Sequence, residues 1–140
     1  MLHKIKYFFL NKFDDNILDF LKNTHGIFQL IDTKCVISEI QTLEAIRKTD
    51  RFMSHNEKIR SPGAILLMYI ARTNQINVAI EKCGINKDTE SGIVVYSDQN
   101  DLQFLIKNDY IRIAGRLLPY DKPEYDFEVF SGMAKIDLMH

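Results

Sequence analysis

The 140-residue sequence has no tryptophan, two cysteines, three prolines and six glycines, and its formal net charge is −1. Each shortage removes a class of explanation. A near-neutral chain exerts no global pull on nucleic acid, so any such binding has to come from a local patch. Cys35 and Cys83 are far apart and belong to no CxxC or Cys/His cluster. That spacing argues against a zinc site or a disulfide scaffold, and for two buried thiols in a reducing cytoplasm. The apolar run Ala64 to Ile70 falls far short of the roughly 20 residues that cross a bilayer, so no membrane segment is expected. The opening MLHKIKYFFLNKF is interrupted by Lys4 and Lys6 and has no small-residue cleavage site after it, which makes it a first strand and not a leader.

What is present is ordinary globular material. Apolar residues make up 46% and charged residues 26%, and nine Phe with six Tyr supply bulk for a core. That length and composition suit one domain spanning 1–140.

Along the chain, β-prone residues at 2–10 predict a strand, and Asp14-Asp15 predict a cap for a short helix through Ile17, Leu18, Phe20 and Leu21, closed by His25-Gly26. Residues 27–31 read as a second strand, broken near Asp32-Thr33. From Ser38, the spacing of Ile40, Leu43 and Ile46 predicts a half-buried helix to about Phe52. Ser61-Pro62 then supplies a cap and a first-turn proline for a helix to about Ala71 that is apolar on nearly every side, and so belongs inside a domain or an interface. After a polar break at Arg72-Thr73-Asn74, the stripe Ile76, Ala79, Ile80, Cys83 predicts a surface helix with Gly84 in the left-handed position beyond it. SGIVVYS, residues 91–97, suits a central strand, Asp98 caps another helix, residues 110–113 suggest a further strand, and a last helix runs from about Lys122 to Lys135. The predicted fold class is α/β (α+β): one domain with a mixed β-sheet of about four to five strands packed with helices.

No nucleophile with its base is signalled. The four histidines are isolated, the carboxylate clusters Asp14-Asp15, Asp88 with Glu90, and Asp98 with Asp101 sit where helix beginnings favour negative charge, and no Gly-rich phosphate loop occurs. Catalytic residues, metal ligands and cofactors are therefore not expected. Charge distribution says more. Between 47 and 72, Arg47, Lys48, Arg51, Lys58, Arg60 and Arg72 face only Asp50 and Glu57, an excess of four positive charges, whereas residues 121–140 carry five acids against two lysines. Arg47, Lys48 and Arg51 alternate with acids at helical spacing and read as a solvated face. Lys58, Arg60 and Arg72 bracket the apolar helix, and His55 precedes them, a placement suited to phosphate groups.

The block VISEIQTLEAIRKTDRFMSHNEKIRSPGAILLMYIA, continued by RTNQINVAIEKCGI, resembles the PRPK-binding protein family, the small non-catalytic subunit of the KEOPS complex. The resemblance runs from about Val36 to Tyr96 and rests on Lys58 and Arg60 before the helix, on Ile65-Leu66-Leu67 within it, and on Ile76 to Ile80 followed by Cys83-Gly84-Ile85. Family members typically carry an acid where this chain has Ala64, and often a phenylalanine where it has Cys83.

The resemblance implies a cytoplasmic accessory subunit that binds a PRPK-type protein kinase/ATPase. The assembly makes the threonylcarbamoyl modification on adenosine next to the tRNA anticodon, and this subunit helps recruit tRNA by its 3′ end. The expected tRNA contacts are Lys58, Arg60, Arg72 and His55, because single-stranded ends are held by cations at phosphates and by stacking of bases. Kinase docking is expected on the last helix, at Phe127, Phe130 and Met133, although these side chains would equally close the domain's own core. A pure protein-interaction regulator of a small kinase, with no RNA contact, stays open as the alternative. A small thiol or acid-base enzyme is the least supported of the three readings.

Overall fold

The computed structural model describes residues 3–24, 26–55 and 61–136. Strand β1 (Lys4–Leu10) leads to helix α1 (Asp15–Lys22), and β2 (Gln29–Asp32) runs into a single 3-10 turn at Thr33–Cys35. Helices α2 (Glu39–His55), α3 (Pro62–Ala71) and α4 (Ile76–Cys83) follow, then β3 (Ser91–Tyr96), α5 (Gln99–Lys107), β4 (Ile111–Ala114) and α6 (Pro123–Ala134). The strands form one sheet in the order β2-β3-β1-β4.

Every pairing in that sheet is antiparallel, where a mixed sheet is expected from the sequence. Strands β1 and β2 do run in the same direction, but β3 lies between them and separates them. As an inner strand with helices over both faces, β3 is apolar at successive positions instead of alternating. Ile93 and Val95 face a core shared with α2, α3, α4 and α6. Val94 and Tyr96 face a second core with α1 and α5. A Cβ at Gly92 would run into the Ile31 carbonyl and the Phe8 ring, so the strands can approach only over a glycine there.

Local coding accounts for most helix boundaries. Asp14 accepts from the Ile17 N–H at 3.1 Å and Asp98 from the Asn100 N–H at 2.8 Å, while Ser61 accepts from the Ala64 N–H at 3.2 Å with Pro62 next. As its composition requires, α3 is buried from Gly63 through Ala71. Burying one Leu or Ile contributes about 1.5–3 kcal/mol, so this helix is the main apolar ballast of the larger core.

Four expectations need correction. Helix α2 buries Gln41, Thr42, Ala45, Ile46, Thr49 and Phe52, and leaves Leu43 38% exposed. Half of that buried face is polar: Gln41 Oε1 accepts from the Ile37 N–H at 2.8 Å and Thr49 Oγ1 donates to the Ala45 carbonyl at 2.7 Å, whereas Thr42 Oγ1 has no hydrogen-bond partner among the described residues. The α4 stripe is also split. Ala79 and Cys83 are buried, whereas Ile76 and Ile80 remain 45% and 47% exposed, since α4 meets α3 through its small residues. Gly84 has φ −73° and is extended, and a Cβ there would stand 2.7 Å from the Ile80 carbonyl oxygen. The left-handed conformations fall instead at Arg72 (φ 57°), Asp109 (φ 61°) and Gly26 (φ 69°). Finally, Cys35 and Cys83 are joined as a disulfide with 5.3 Å between their Cα atoms. The fold brings the 3-10 turn and the end of α4 together, which spacing along the chain could not indicate. Helix α1 closes at Asn23, and His25, expected at its end, lies outside the described residues.

Candidate functional site

Of the four cationic positions expected to contact RNA, Lys58 and Arg60 lie outside the described residues. His55 is exposed in the last turn of α2, its Nδ1 2.9 Å from the Arg51 carbonyl oxygen and 3.0 Å from Ser54 Oγ. Arg72 closes α3 at the end opposite Ser61, and a ten-residue helix separates those ends by about 15 Å. Ser61, which follows Arg60 in the sequence, is therefore one helix length from Arg72.

Other cations of the basic middle are engaged on α2 itself. Arg47 holds Glu44 with two hydrogen bonds, Nε to Oε2 at 3.0 Å and a second guanidinium nitrogen to Oε1 at 2.6 Å, and Lys48 lies 4.0 Å from the same carboxylate. The hydrogen bond from Arg47 holds the Glu44 carboxyl below the usual carboxylate range, and Glu44 in turn raises Arg47. This is the solvated helix face that the alternation of charges implies.

Arg72 has a different setting. Its φ of 57° and ψ of 49° are left-handed, a conformation that costs a non-glycine residue roughly 1–2 kcal/mol. The backbone nevertheless caps two of the last carbonyls, with the Arg72 N–H donating to those of Met68 and Tyr69 and the Thr73 N–H to that of Met68 at 3.1 Å. The side chain then runs along α6 over Gly132, where a Cβ would stand 2.5 Å from Arg72 Cδ. Lys135 caps α6 with its N–H on the Gly132 and Met133 carbonyls, and both cations line one open cleft with Thr73, Asn74 and Ile136. Sequence reasoning missed Lys135, because nothing local links it to a residue 63 positions earlier.

The expected kinase-docking triplet on α6 is divided by the fold. Met133 is fully enclosed in the larger core, Phe130 is half-buried against it, and Phe127 is 74% exposed. A partner can touch Phe127 and the rim of Phe130, while Met133 contributes to the domain's own stability. Nearby in sequence, Tyr120 and Tyr125 are also exposed. The beginning of α6 is held by buried Asp126, whose Oδ1 accepts from Ser38 Oγ at 2.5 Å and whose Oδ2 accepts from the Lys122 N–H at 2.7 Å. One carboxylate thus ties the start of α6 to the start of α2, so the aromatic residues project from a fixed base.

A second apolar surface is concave. Leu18 and Leu21 of α1, Ala64 and Leu67 of α3, and Ile80 and Ile85 line a groove beside β2. Among the described residues no helix is long and apolar enough to cross a membrane.

Comparison with protein families matches the chain over residues 11–137 to a family described as kinase binding protein CGI-121. No curated protein matches it.

Proposed function

Because the chain belongs to the CGI-121 family of kinase binding proteins, we propose that it is the small non-catalytic subunit of a KEOPS-type assembly. In this reading it binds a PRPK-type kinase/ATPase in the cytoplasm and helps recruit tRNA by its 3′ end, for threonylcarbamoyl modification of the adenosine beside the anticodon. Other subunits of the assembly are met through the kinase, and the chemistry belongs to another subunit. The observation that carries the reading is the family match itself, which spans residues 11–137 and so takes in both ends of α3 and the whole of α6.

The proposed RNA contacts are Lys58, Arg60, Arg72 and His55. Support comes from the local excess of positive charge in a chain whose net charge is −1, since cations at phosphates supply most sequence-independent affinity. The proposed kinase contact is Phe127 with the exposed rim of Phe130; an exposed aromatic on a fixed helix fits the apolar centre of a partner surface. A regulator that binds the kinase without RNA has one observation in its favour, namely that Arg47 and Lys48 are already engaged with Glu44.

The deciding experiment measures tRNA binding with and without the terminal CCA, for the wild type and for Lys58→Glu with Arg60→Glu, at one salt concentration. Loss of binding on removing CCA, and in the double variant, is the expected result. Co-purification with the kinase and no tRNA mobility shift, for the pair as for the isolated subunit, would leave the RNA-free regulator.

A further inference from the structure

We propose that the cleft between the C-terminal ends of α3 and α6 is a phosphate-binding site, with Arg72 and Lys135 as its cations and Thr73 and Asn74 as polar walls. It shares Arg72 with the RNA reading above and does not depend on it. The cleft is open, with a volume of about 300 Å³.

Both cations stand at helix C-termini, where the dipole favours positive charge, and neither is required to cap the Met68, Tyr69, Gly132 or Met133 carbonyls. Basic side chains at helix ends commonly satisfy the last carbonyls, but here backbone N–H groups of Arg72, Thr73, Lys135 and Ile136 already bond the carbonyls of Met68, Tyr69, Gly132 and Met133. Among the described residues neither Arg72 nor Lys135 has an acidic partner. Two like charges on one cleft repel each other, and a bound anion removes that penalty.

Two backbone choices also run against helix stability at this one place. Arg72 occupies a left-handed position that glycine would fill without strain. Gly132 sits inside α6, where alanine would favour the helix, and the missing Cβ is what lets the Arg72 stem lie down: Cδ and Cγ would be 2.5 and 3.3 Å from it. Both choices together lay the Arg72 stem on α6, at the cleft that Lys135 also lines. Local rules broken jointly point to a site.

The donors select the ligand class. A guanidinium fork, an ammonium group and a hydroxyl suit a tetrahedral oxyanion with several oxygens in different directions. Thr73 Oγ1 accepts from the Gln75 N–H at 3.1 Å, which leaves its O–H to donate. The phosphate can be a free or small-molecule phosphate, or one link of a single-stranded RNA backbone.

The test is an amide NMR titration of the full chain at low salt, with inorganic phosphate in one arm and a short single-stranded oligoribonucleotide in the other. Saturable shifts at Thr73, Asn74 and Lys135 are expected, with Lys135→Ala and Arg72→Gly each weakening binding roughly tenfold. Gly132→Ala keeps both cations and is expected to weaken binding as well, which a diffuse positive patch would not show. Saturation by the oligonucleotide at far lower concentration than by phosphate assigns the site to RNA; equal affinities assign it to a free phosphate. Shifts with phosphate in a chain that fails to bind tRNA would keep the cleft and remove the RNA reading. No saturable shift in either arm, or wild-type binding by both Lys135→Ala and Gly132→Ala, overturns the proposal.

Discussion

Arg72 and Gly132 are complementary: the glycine of α6 is the bed on which the stem of the arginine lies, with Cδ 2.5 Å from where a side chain would begin. Each residue is a poor local choice alone, and the two make sense only together. Arg72→Gly is expected to raise stability by about 1 kcal/mol by relieving the left-handed backbone. Gly132→Ala should gain less than the roughly 1 kcal/mol of helix propensity, because it displaces the arginine stem, and should recover the full gain in the Arg72→Gly background. Urea unfolding of the two single variants and the double variant gives the coupling.

Burial divides α6 into a stabilising and a reachable part. Met133→Ala, at a fully enclosed position, should cost about 2–5 kcal/mol. Phe127→Ala, at a side chain 74% exposed, should change stability by less than about 0.5 kcal/mol. Under the proposed docking it should weaken co-purification with the kinase, whereas a kinase pull-down unchanged by Phe127→Ala would move the docking surface off this helix.

Tyr7 predicts an alkaline limit. Burial first, and then the carboxylate of Glu39, to which its hydroxyl donates at 3.1 Å, push its phenol up to about 12. The ordinary tyrosine value near 10 applies to the unfolded chain. Between the two the folded state keeps a proton that the unfolded state has released, so stability is full below about pH 10 and falls as pH rises through about 12. Tyr7→Phe should flatten that decline; denaturation midpoints measured at several alkaline pH values in both proteins check it.

The Cys35–Cys83 link closes a loop of 48 residues, for which chain entropy suggests a stabilisation of about 4 kcal/mol. Non-reducing peptide mapping should recover the two peptides joined. Denaturation with and without reductant, and Cys35→Ser with Cys83→Ser, should show the loss, and identical midpoints would mean that packing of α4 alone holds the turn.

Elements whose instructions are local can be read from the residues alone. Ser61-Pro62, Asp14 and Asp98 carry their own hydrogen-bonding chemistry, so those helix starts were legible, as was a nearly wholly apolar α3 that had to be enclosed. SGIVVYS was legible as an inner strand for the same reason, an apolar run without alternation. The packed register of α2 and the exposure of Ile76 and Ile80 were not. Those depend on which face a neighbouring helix leaves room for and on whether buried polar groups find partners. Packing between elements placed β3 between β1 and β2, brought Cys35 to Cys83, and turned Met133 inward and Phe127 outward. It also decided that Arg72 would be joined by Lys135. Contacts between residues far apart in the chain are chosen by the shape and charge of whole packed layers, and no local pattern encodes them.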